Sequence, residues 1–233
     1  LSDNADFFAT DIKAINLQMH FTVNSRQANG LLRFPVVLNF PGQHSVLNAL
    51  AAIAVSLECE ADVAAIQEGL AKFQGVDRRF QQYGEVSLPQ GGSIQVVDDY
   101  GHHPNEIKAT LQAARQAFQG RRLTLEFQPH RYTRTRDHFD DFIEALKLAD
   151  LIILTEVYAA GETPIAAADG KALVRSLRTH YNLEPIYQST LEKLPETILE
   201  VSRDQDVVLT MGAGSITKVA AWLKDLAEQG QHA

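Results

Sequence analysis

Two polar segments of the sequence combine side chains that can bind anions and move protons. The first, 98–104, reads Asp-Asp-Tyr-Gly-His-His-Pro and directly precedes a segment with a helical pattern. Its carboxylates suit hydrogen bonds to sugar hydroxyls, and imidazole, which His102 carries, is the side chain most often used for proton transfer. Proton transfer, sugar binding and metal coordination are all open to this loop. An Asp-rich turn with Pro104 at the first helical position is the structural alternative.

The second segment, 127–136, reads Phe-Gln-Pro-His-Arg-Tyr-Thr-Arg-Thr-Arg. Five arginines lie between residues 121 and 136, close to His130 and His138, in a chain whose net charge is -8. Arginine binds carboxylates and phosphates through paired hydrogen bonds. A basic cluster in an acidic chain therefore predicts a site for a small anionic ligand, and a solvated surface is the alternative.

Two further patterns carry weaker signals. His44 and Asn48 lie four residues apart at the start of an alanine-rich helical segment, so they share one helix face. An asparagine amide can donate to and accept from an adenine edge, although a helix cap would use the same residues. Gly212-Ala213-Gly214 resembles a dinucleotide fingerprint, but Thr217 stands where the third glycine is needed. A tight strand-to-helix turn is the simpler interpretation.

The elements that must position these loops follow a regular alternation beyond residue 79. We expect strands at 93–98, 123–127, 151–157, 185–188 and 206–211, and helices at 105–118, 137–148, 171–180, 191–201 and 216–228. This order predicts the α/β class with a mostly parallel, doubly wound, Rossmann-like sheet. Ligands bind at the carboxyl ends of such strands, which here means the loops 99–104, 128–136, 156–164 and 212–217.

The first 78 residues have a different pattern. Strands are expected at 15–23 and 31–40, and helices at 45–58 and 61–73. The polar turn 75–79, Gly-Val-Asp-Arg-Arg, marks the predicted domain boundary. We therefore expect part of one domain in 1–78 and a whole α/β domain in 79–233. Because the chain starts with Leu1, we expect it to be a piece of a longer protein.

Composition excludes several classes of protein. A net charge of -8 argues against a nucleic-acid partner, and the longest apolar run, 49–55, is too short to span a membrane. The single cysteine, Cys59, excludes a disulfide framework and a cysteine-based zinc site, which fits a reducing cytoplasm. No Gly-x-x-x-x-Gly-Lys-[Ser/Thr] phosphate loop occurs in the 233 residues. Nothing in the sequence indicates an oligomeric state.

Six segments together resemble the Mur ligase family of bacterial cell-wall enzymes. They occur in the family's order and read GQHSVLNALAA (42–52), GVDRRFQ (75–81), VVDDYGHHPNEI (96–107), FQPHRYTRTRDHFDDF (127–142), EVYAAGETPI (156–165) and GAGSI (212–216). The segment 127–142 is the one that resembles the alanine-adding branch.

The resemblance implies an ATP-dependent ligase that joins L-alanine to UDP-N-acetylmuramate through an acyl phosphate, in the synthesis of peptidoglycan precursors. Residues 1–78 would be the distal part of the central ATP-binding domain, and 79–233 the C-terminal Rossmann-like domain. The phosphate-loop lysine and the Mg²⁺ ligands would lie upstream, so the chain alone would be inactive.

The resemblance also implies roles for individual residues. His44 and Asn48 would face the adenine, Asp99 the ribose, and Arg79 the phosphates, where it would also act in catalysis. Tyr100, His130, Arg131 and Arg134 would bind substrate, and the two arginines would hold the alanine carboxylate. Either His102 or His130 would take the proton of the amine. The family usually has Asn where this chain has Ser45, which weakens a nucleotide contact from that position.

Three other functions remain open from the sequence. A related ligase attaches a whole murein tripeptide to the same sugar nucleotide, and would share the 98–103 loop and the 75–79 turn but not the 127–137 segment. The chain could also be a non-catalytic nucleotide- or anion-binding module. A Rossmann oxidoreductase is disfavoured by the missing third glycine.

Overall fold

The computed structural model describes residues 5–28, 30–181 and 183–230, which fall into two compact units. The first comprises Leu1–Gly75 with Gln112–Gln119, and the second comprises Val76–Leu111 with Gly120–Ala233. The assignment of residues 1–78 and 79–233 to two ligase domains stays a prediction. No helix within the described ranges is long and apolar enough to cross a membrane.

The first unit contains a three-stranded antiparallel sheet and two helices. Its strands are β1 (Phe7–Ile15), β2 (Gln18–Gln27) and β3 (Gly30–Leu38), in that order, followed by α1 (Gln43–Glu58) and α2 (Val63–Ala71). Alternate residues of β2, such as Phe21 and Val23, are buried against Val46 and Ile53 of α1. The strand expected at 15–23 in fact spans the turn between β1 and β2. β1 was not predicted from the sequence, and its second half is mostly exposed although it contains apolar residues.

The second unit is built on a six-stranded sheet. Its elements are β4 (Gln81–Ser87), β5 (Ser93–Asp99), α3 (Pro104–Ala117), β6 (Leu123–Phe127), α4 (Tyr132–Asp137), α5 (Phe139–Leu146), β7 (Leu151–Leu154), α6 (Gly170–Tyr181), β8 (Ile186–Tyr187), a 3-10 turn (Leu191–Lys193), α7 (Leu194–Val201), β9 (Val207–Met211) and α8 (Thr217–Gly230). The strand order is β4-β5-β9-β6-β7-β8. Only β4 pairs antiparallel, so the α/β class and the mostly parallel sheet are confirmed.

The central strands β6 and β9 are buried along their whole length. Strands of a parallel sheet are covered by helices on both faces, which explains why every residue of these two strands is buried. Leu194 and Ile198 of α7 and Leu223 of α8 pack on one face with Val208 of β9. The result is a rigid platform for the loops that follow the strands.

The structure corrects two sequence-based boundaries near the arginines. The helix expected at 137–148 is α5, which is shorter, and an additional helix, α4, precedes it and meets it at His138. Half of the expected loop 128–136 is therefore helical. The helix α4 was missed because its sequence, Tyr-Thr-Arg-Thr-Arg-Asp, has too few apolar residues to show a helical period.

Candidate functional site

Three loops of the second unit begin at the same level of the sheet. Met211 at the end of β9 lies opposite Asp99 of β5 on one side and Phe127 of β6 on the other. The Gly212 amide then donates to the Asp99 carbonyl at 3.2 Å, and the Gln128 amide to the Met211 carbonyl at 3.0 Å. The loops that carry the two polar segments are thus adjacent at the carboxyl edge of the sheet.

The glycine-containing loop after β9 serves close packing. A Cβ on Gly212, whose φ is +148°, would lie 2.7 Å from the Gln128 carbonyl oxygen. A Cβ on Gly214 would lie 2.5 Å from Gln128 Oε1 and 2.7 Å from the Tyr158 ring. Gln128 Oε1 also accepts from the Ile216 amide at 3.1 Å. Side chains fill the space above these glycines, which supports the tight-turn interpretation over a dinucleotide site.

The two aspartates at the end of β5 are buried and bonded within the protein. Asp98 accepts from the Thr210 hydroxyl at 2.7 Å and from Arg78 Nε at 3.2 Å. Asp99, 5% exposed, accepts from the amides of Phe80 at 2.9 Å and Gly101 at 2.7 Å, one on each oxygen. Burial raises the pKa of both carboxyls, against the lowering effect of these donors. The ribose contact of Asp99 stays a prediction, and it would use the lone pairs that the amides leave open.

The adjacent arginines of the 75–79 turn have different roles. Arg78, which was not singled out from the sequence, connects three segments of the chain. In addition to its hydrogen bond to Asp98, it donates from Nη2 to the Gly212 carbonyl at 2.5 Å. Its guanidinium lies 4.9 Å from the centre of the Tyr100 ring. Arg79 is more exposed and donates to Glu106 Oε1 at 3.3 Å. Arg79 is thus the cation of the pair that faces outward, as a phosphate-binding role requires.

Glu106 organises the His102–His103 turn. Its Oε2 accepts from the amides of His102 at 3.0 Å and His103 at 3.1 Å, at the N-terminus of α3. Burial opposes the charge of Glu106, but these two hydrogen bonds, together with the charge of His102 and the hydrogen bond from Arg79, lower the pKa of the carboxyl. The sequence analysis missed Glu106, although a glutamate three residues into a helix is a known capping signal.

The second polar segment forms a compact cation-rich turn. Arg131 immediately precedes α4 with φ at +72°, a conformation that is rare for a residue with a side chain. Arg134 Nη1 lies 3.2 Å from both Nδ1 and the carbonyl oxygen of His130. The His130 ring stacks on Tyr158 with centroids 5.5 Å apart, and lies 5.8 Å from the His102 ring. The structure therefore brings the two predicted segments together through their histidines.

Tyr158 and Glu162 from the loop after β7 hold this turn in place. The Arg131 amide donates to the Tyr158 carbonyl at 2.9 Å, and the Tyr158 amide to the Pro129 carbonyl at 2.8 Å. Glu162 accepts from the Thr133 amide at 3.0 Å and from its hydroxyl at 2.6 Å. Neither residue was singled out in the sequence, because a contact between two loops leaves no periodic signal.

The remaining arginines of the 121–136 stretch do not join this site. Arg121 and Arg122 precede β6, at the opposite edge of the sheet, where Arg122 binds the buried Asp206. Arg136 pairs with Asp137 on the exposed side of α4. Of the five arginines in this stretch, the structure therefore places Arg131 and Arg134 beside the site and the other three away from it. Residues that precede a strand and residues that follow it can be close in the sequence, but in space they are separated by the full length of the strand.

His44 and Asn48 belong to the first unit, in the first two turns of α1. Asn48 is exposed and His44 half-buried. Ser45 is buried, and its hydroxyl donates to the Pro41 carbonyl at 2.7 Å. Gly42 precedes the helix with φ at +95°, which favours glycine. The adenine contact from His44 and Asn48 stays a prediction.

Within the described ranges, no group of three or more His, Cys, Asp or Glu side chains is placed to hold a metal ion. The carboxylates closest to the site are engaged by amides, hydroxyls and arginines, as given above. These residues do not fit a resident magnesium ion, and we assign no step to one.

Comparisons with known proteins show which family the chain matches. Residues 78–214 match the model of the "Mur ligase, glutamate ligase domain" family. A UDP-N-acetylmuramate–L-alanine ligase of Neisseria meningitidis is 57% identical over 98% of the chain, which covers 49% of that protein. The chain thus spans about half the length of the curated relatives it matches.

Two solved structures show the same fold. The UDP-N-acetylmuramate–alanine ligase of Thermotoga maritima has a TM-score of 0.78 at 29% identity, over 98% of this chain and 47% of that one. A MurF ligase of Thermotoga maritima, solved with ADP, has a TM-score of 0.66 at 18% identity, over 97% of this chain and 48% of that one. Because the family model matches more than half of the residues, the chain belongs to the Mur ligase family.

Proposed function

We propose that the chain is the alanine-binding half of a UDP-N-acetylmuramate–L-alanine ligase of bacterial peptidoglycan synthesis, acting in the cytoplasm on small molecules. The observation that carries the proposal is the pair Arg131 and Arg134, which flank the His130 turn at the carboxyl edge of the sheet. The names of relatives at 57% identity support the choice of substrates.

In the proposed reaction, ATP supplies the phosphoryl group that activates the lactyl carboxylate of the sugar nucleotide as an acyl phosphate. The alanine nitrogen then attacks the acyl carbon, forming a tetrahedral intermediate. Its carbon–oxygen bond to phosphate breaks, inorganic phosphate leaves with the electron pair, and the nitrogen loses a proton. The protein must therefore hold the alanine carboxylate, stabilise negative charge and accept one proton.

The residues present suit these tasks. The exposed Arg131 and half-buried Arg134 offer guanidinium groups that bind a carboxylate through paired hydrogen bonds. Tyr100 and His130 line the same edge and would contact the substrate beside them. A fixed cation, Arg79, would stabilise the charge of the phosphoryl group. In the second unit, Asp99 would accept hydrogen bonds from ribose hydroxyls. In the first unit, the side-chain amide of Asn48, with His44, would bind an adenine.

The proposal is tested by calorimetric titration of the chain with L-alanine. We expect Arg131→Ala and Arg134→Ala each to weaken binding about tenfold to a hundredfold, because each removes a charge-assisted hydrogen-bond donor set. Arg136→Ala is the matched control on the same helix, since Arg136 pairs with Asp137, and its affinity should stay unchanged. Equal affinities for all variants would remove the arginines from the alanine site.

Two alternatives are decided by the same titration. A murein tripeptide that binds in place of L-alanine would indicate the tripeptide-adding ligase. If the chain binds ADP but binds neither L-alanine nor the tripeptide, it is a nucleotide-binding module.

A further inference from the structure

The two histidines of the site differ in the hydrogen-bond partner of Nδ1, which is an acceptor in one ring and a donor in the other. His102 and His130 lie with ring centroids 5.8 Å apart, one from the loop after β5 and one from the loop after β6. In each ring Nδ1 has a polar partner within the protein, which decides where the ring proton resides. The chemistry left to each Nε2 follows from that partner.

At His102, the neighbours of Nδ1 are acceptors. The Tyr100 carbonyl oxygen lies at 3.1 Å and Glu106 Oε2 at 3.5 Å. A carbonyl has no proton to give, and Glu106 is held ionised by the two backbone amides that lower the pKa of its carboxyl. Nδ1 of His102 must therefore carry the proton. In the neutral ring this leaves the Nε2 lone pair free to accept one.

At His130, the neighbour of Nδ1 is a donor. Arg134 Nη1 lies 3.2 Å away, and a guanidinium cannot accept a hydrogen bond. Nδ1 of His130 must then be the acceptor, and the ring proton resides on Nε2. The same Nη1 also donates to the His130 carbonyl at 3.2 Å, which fixes the arginine in place. The one basic nitrogen of His130 is thus already occupied.

Protonation of His130 is opposed by its surroundings as well. Burial, then the positive charges of Arg134, His102 and Arg131, lower the pKa of the His130 imidazole, with Glu162 acting the other way. A neutral His130 presents only an N–H at Nε2. Such a group donates to an oxygen atom and cannot take a proton from a nitrogen.

We propose that His102 is the general base of the proposed ligase reaction, and that His130 is a hydrogen-bond donor to an oxygen of the substrate. This assignment rests on the proposed function and selects between the two histidines that the sequence left open. As the bond between the alanine nitrogen and the acyl carbon forms, His102 Nε2 takes the proton that this nitrogen loses. The electron pair of the breaking carbon–oxygen bond leaves with phosphate.

Glu106 is the positioning residue of this pair. It approaches the Nδ1 side of His102, and it fixes the turn by accepting from the amides of His102 and His103. A carboxylate behind a histidine sets the tautomer and favours the imidazolium that forms when the base is used. The His102 side chain is 21% exposed, so the proton can then pass to water.

Nitrogen-15 NMR of the histidine rings tests the tautomers directly on the chain, at a pH where both rings are neutral. The His102→Gln and His130→Gln spectra assign the signals. We expect the Nδ1–H form for His102 and the Nε2–H form for His130. Arg134→Ala should shift the His130 ring towards a mixture of forms and leave His102 unchanged. A His102 ring with its proton on Nε2 would overturn the proposal.

Kinetics of the whole ligase carrying these residues test the role. Removing a general base costs about a hundredfold to ten-thousandfold in kcat. We expect that loss for His102→Gln, with disappearance of the acidic limb of the pH profile, and a rise mainly in KM for His130→Gln. Loss of the acidic limb in His130→Gln instead would overturn the assignment. A wild-type enzyme without alanine-ligase activity would overturn the proposed function, whereas reversed tautomers would overturn only the role of His102.

Discussion

Glu126 is a charged residue type placed inside the central strand of the sheet. Its side chain is fully buried in β6, and neither carboxyl oxygen has a well-oriented hydrogen-bond partner among the described residues. Burial raises the pKa of Glu126 to about 8, and the nearby Thr124 only partly offsets this. The carboxyl is therefore neutral in the folded protein at neutral pH, where an unfolded chain would ionise it.

The pH dependence of stability follows from that difference. Between the ordinary pKa of 4.5 and the folded value of about 8, the folded state holds a proton that the unfolded state has released. The free energy of unfolding therefore falls as pH rises through this window, by up to about 1.4 kcal/mol per pH unit, and is constant above it. Glu126→Gln, which cannot ionise, should remove this slope.

Urea unfolding at about pH 5, 6.5 and 8 measures the effect near the lower end, in the middle and at the top of the window. We expect Glu126→Gln to match the wild type near pH 5 and to exceed it in stability near pH 8. Glu200→Gln, on the exposed side of α7, is the matched control and should keep the wild-type slope. Parallel curves for Glu126→Gln and the wild type would contradict the buried, protonated state.

At the scale of elements, the short helix α4 depends on a contact from another loop. A helix of six residues has little stability of its own, because nucleation is costly and few hydrogen bonds repay it. Glu162 accepts from both the amide and the hydroxyl of Thr133 in the first turn of α4. The placement of Arg131 and Arg134 therefore depends on Glu162.

We expect Glu162→Gln to weaken L-alanine binding about threefold to tenfold, because the amide replaces one acceptor with a donor that faces the Thr133 N–H or hydroxyl. In the whole ligase the change should raise KM and leave kcat nearly unaltered. Thr133→Ser keeps both donors and should bind like the wild type, whereas Thr133→Val should resemble Glu162→Gln. Glu144→Gln, an exposed substitution on α5, is the control.

An unchanged affinity in Glu162→Gln, measured with intact folding, would show that α4 is held by its other contacts. Chief among these is the hydrogen bond from the Arg131 amide to the Tyr158 carbonyl.

The sequence predicted the elements whose pattern is local. Strands β5, β6 and β9 were predicted within one residue, since short segments rich in branched and apolar residues and bounded by polar turns are typical of strands. The edge strand β4 was not predicted, because Gln81–Ser87 is mostly polar and half-exposed and contains Gly84 at an irregularity in the pairing. As an edge strand, β4 pairs with β5 alone and stays partly exposed, so its residues do not need to be apolar.

The site was predictable only as two loops at one edge of the sheet. Residue types placed His102, His130, Arg131 and Arg134 there, because loops after parallel strands share that edge. The sequence could not separate Arg121 and Arg122 from the site, since the chain length between them is short while the sheet places them at opposite edges. Nor could the sequence choose between the two histidines, because the tautomer of each ring is set by the atom that is hydrogen-bonded to its Nδ1 and not by the spacing of residues along the chain.

At the scale of the whole molecule, the chain holds the residues that we propose to position an amino acid, and its sequence contains no phosphate-loop motif. No phosphate-loop motif occurs in the 233 residues, and relatives are about twice as long. The acyl phosphate of the proposed reaction is made by phosphoryl transfer, which needs backbone amides and a lysine around the phosphates and a bound metal. The described residues contain no cluster placed to hold that metal.

We therefore expect the 233-residue chain, supplied with ATP, Mg²⁺, UDP-N-acetylmuramate and L-alanine, to release no phosphate above background while it still binds L-alanine. An intact UDP-N-acetylmuramate–L-alanine ligase assayed in parallel is the positive control, and Arg131→Ala in both proteins links the two measurements. If the site described here is the alanine site, that substitution weakens binding to the chain and raises KM for alanine in the intact enzyme by the same factor. Phosphate release by the chain alone would show that its own residues can activate the carboxylate. The proposal that this chain binds alanine while the rest of the ligase carries out phosphoryl transfer would then be wrong.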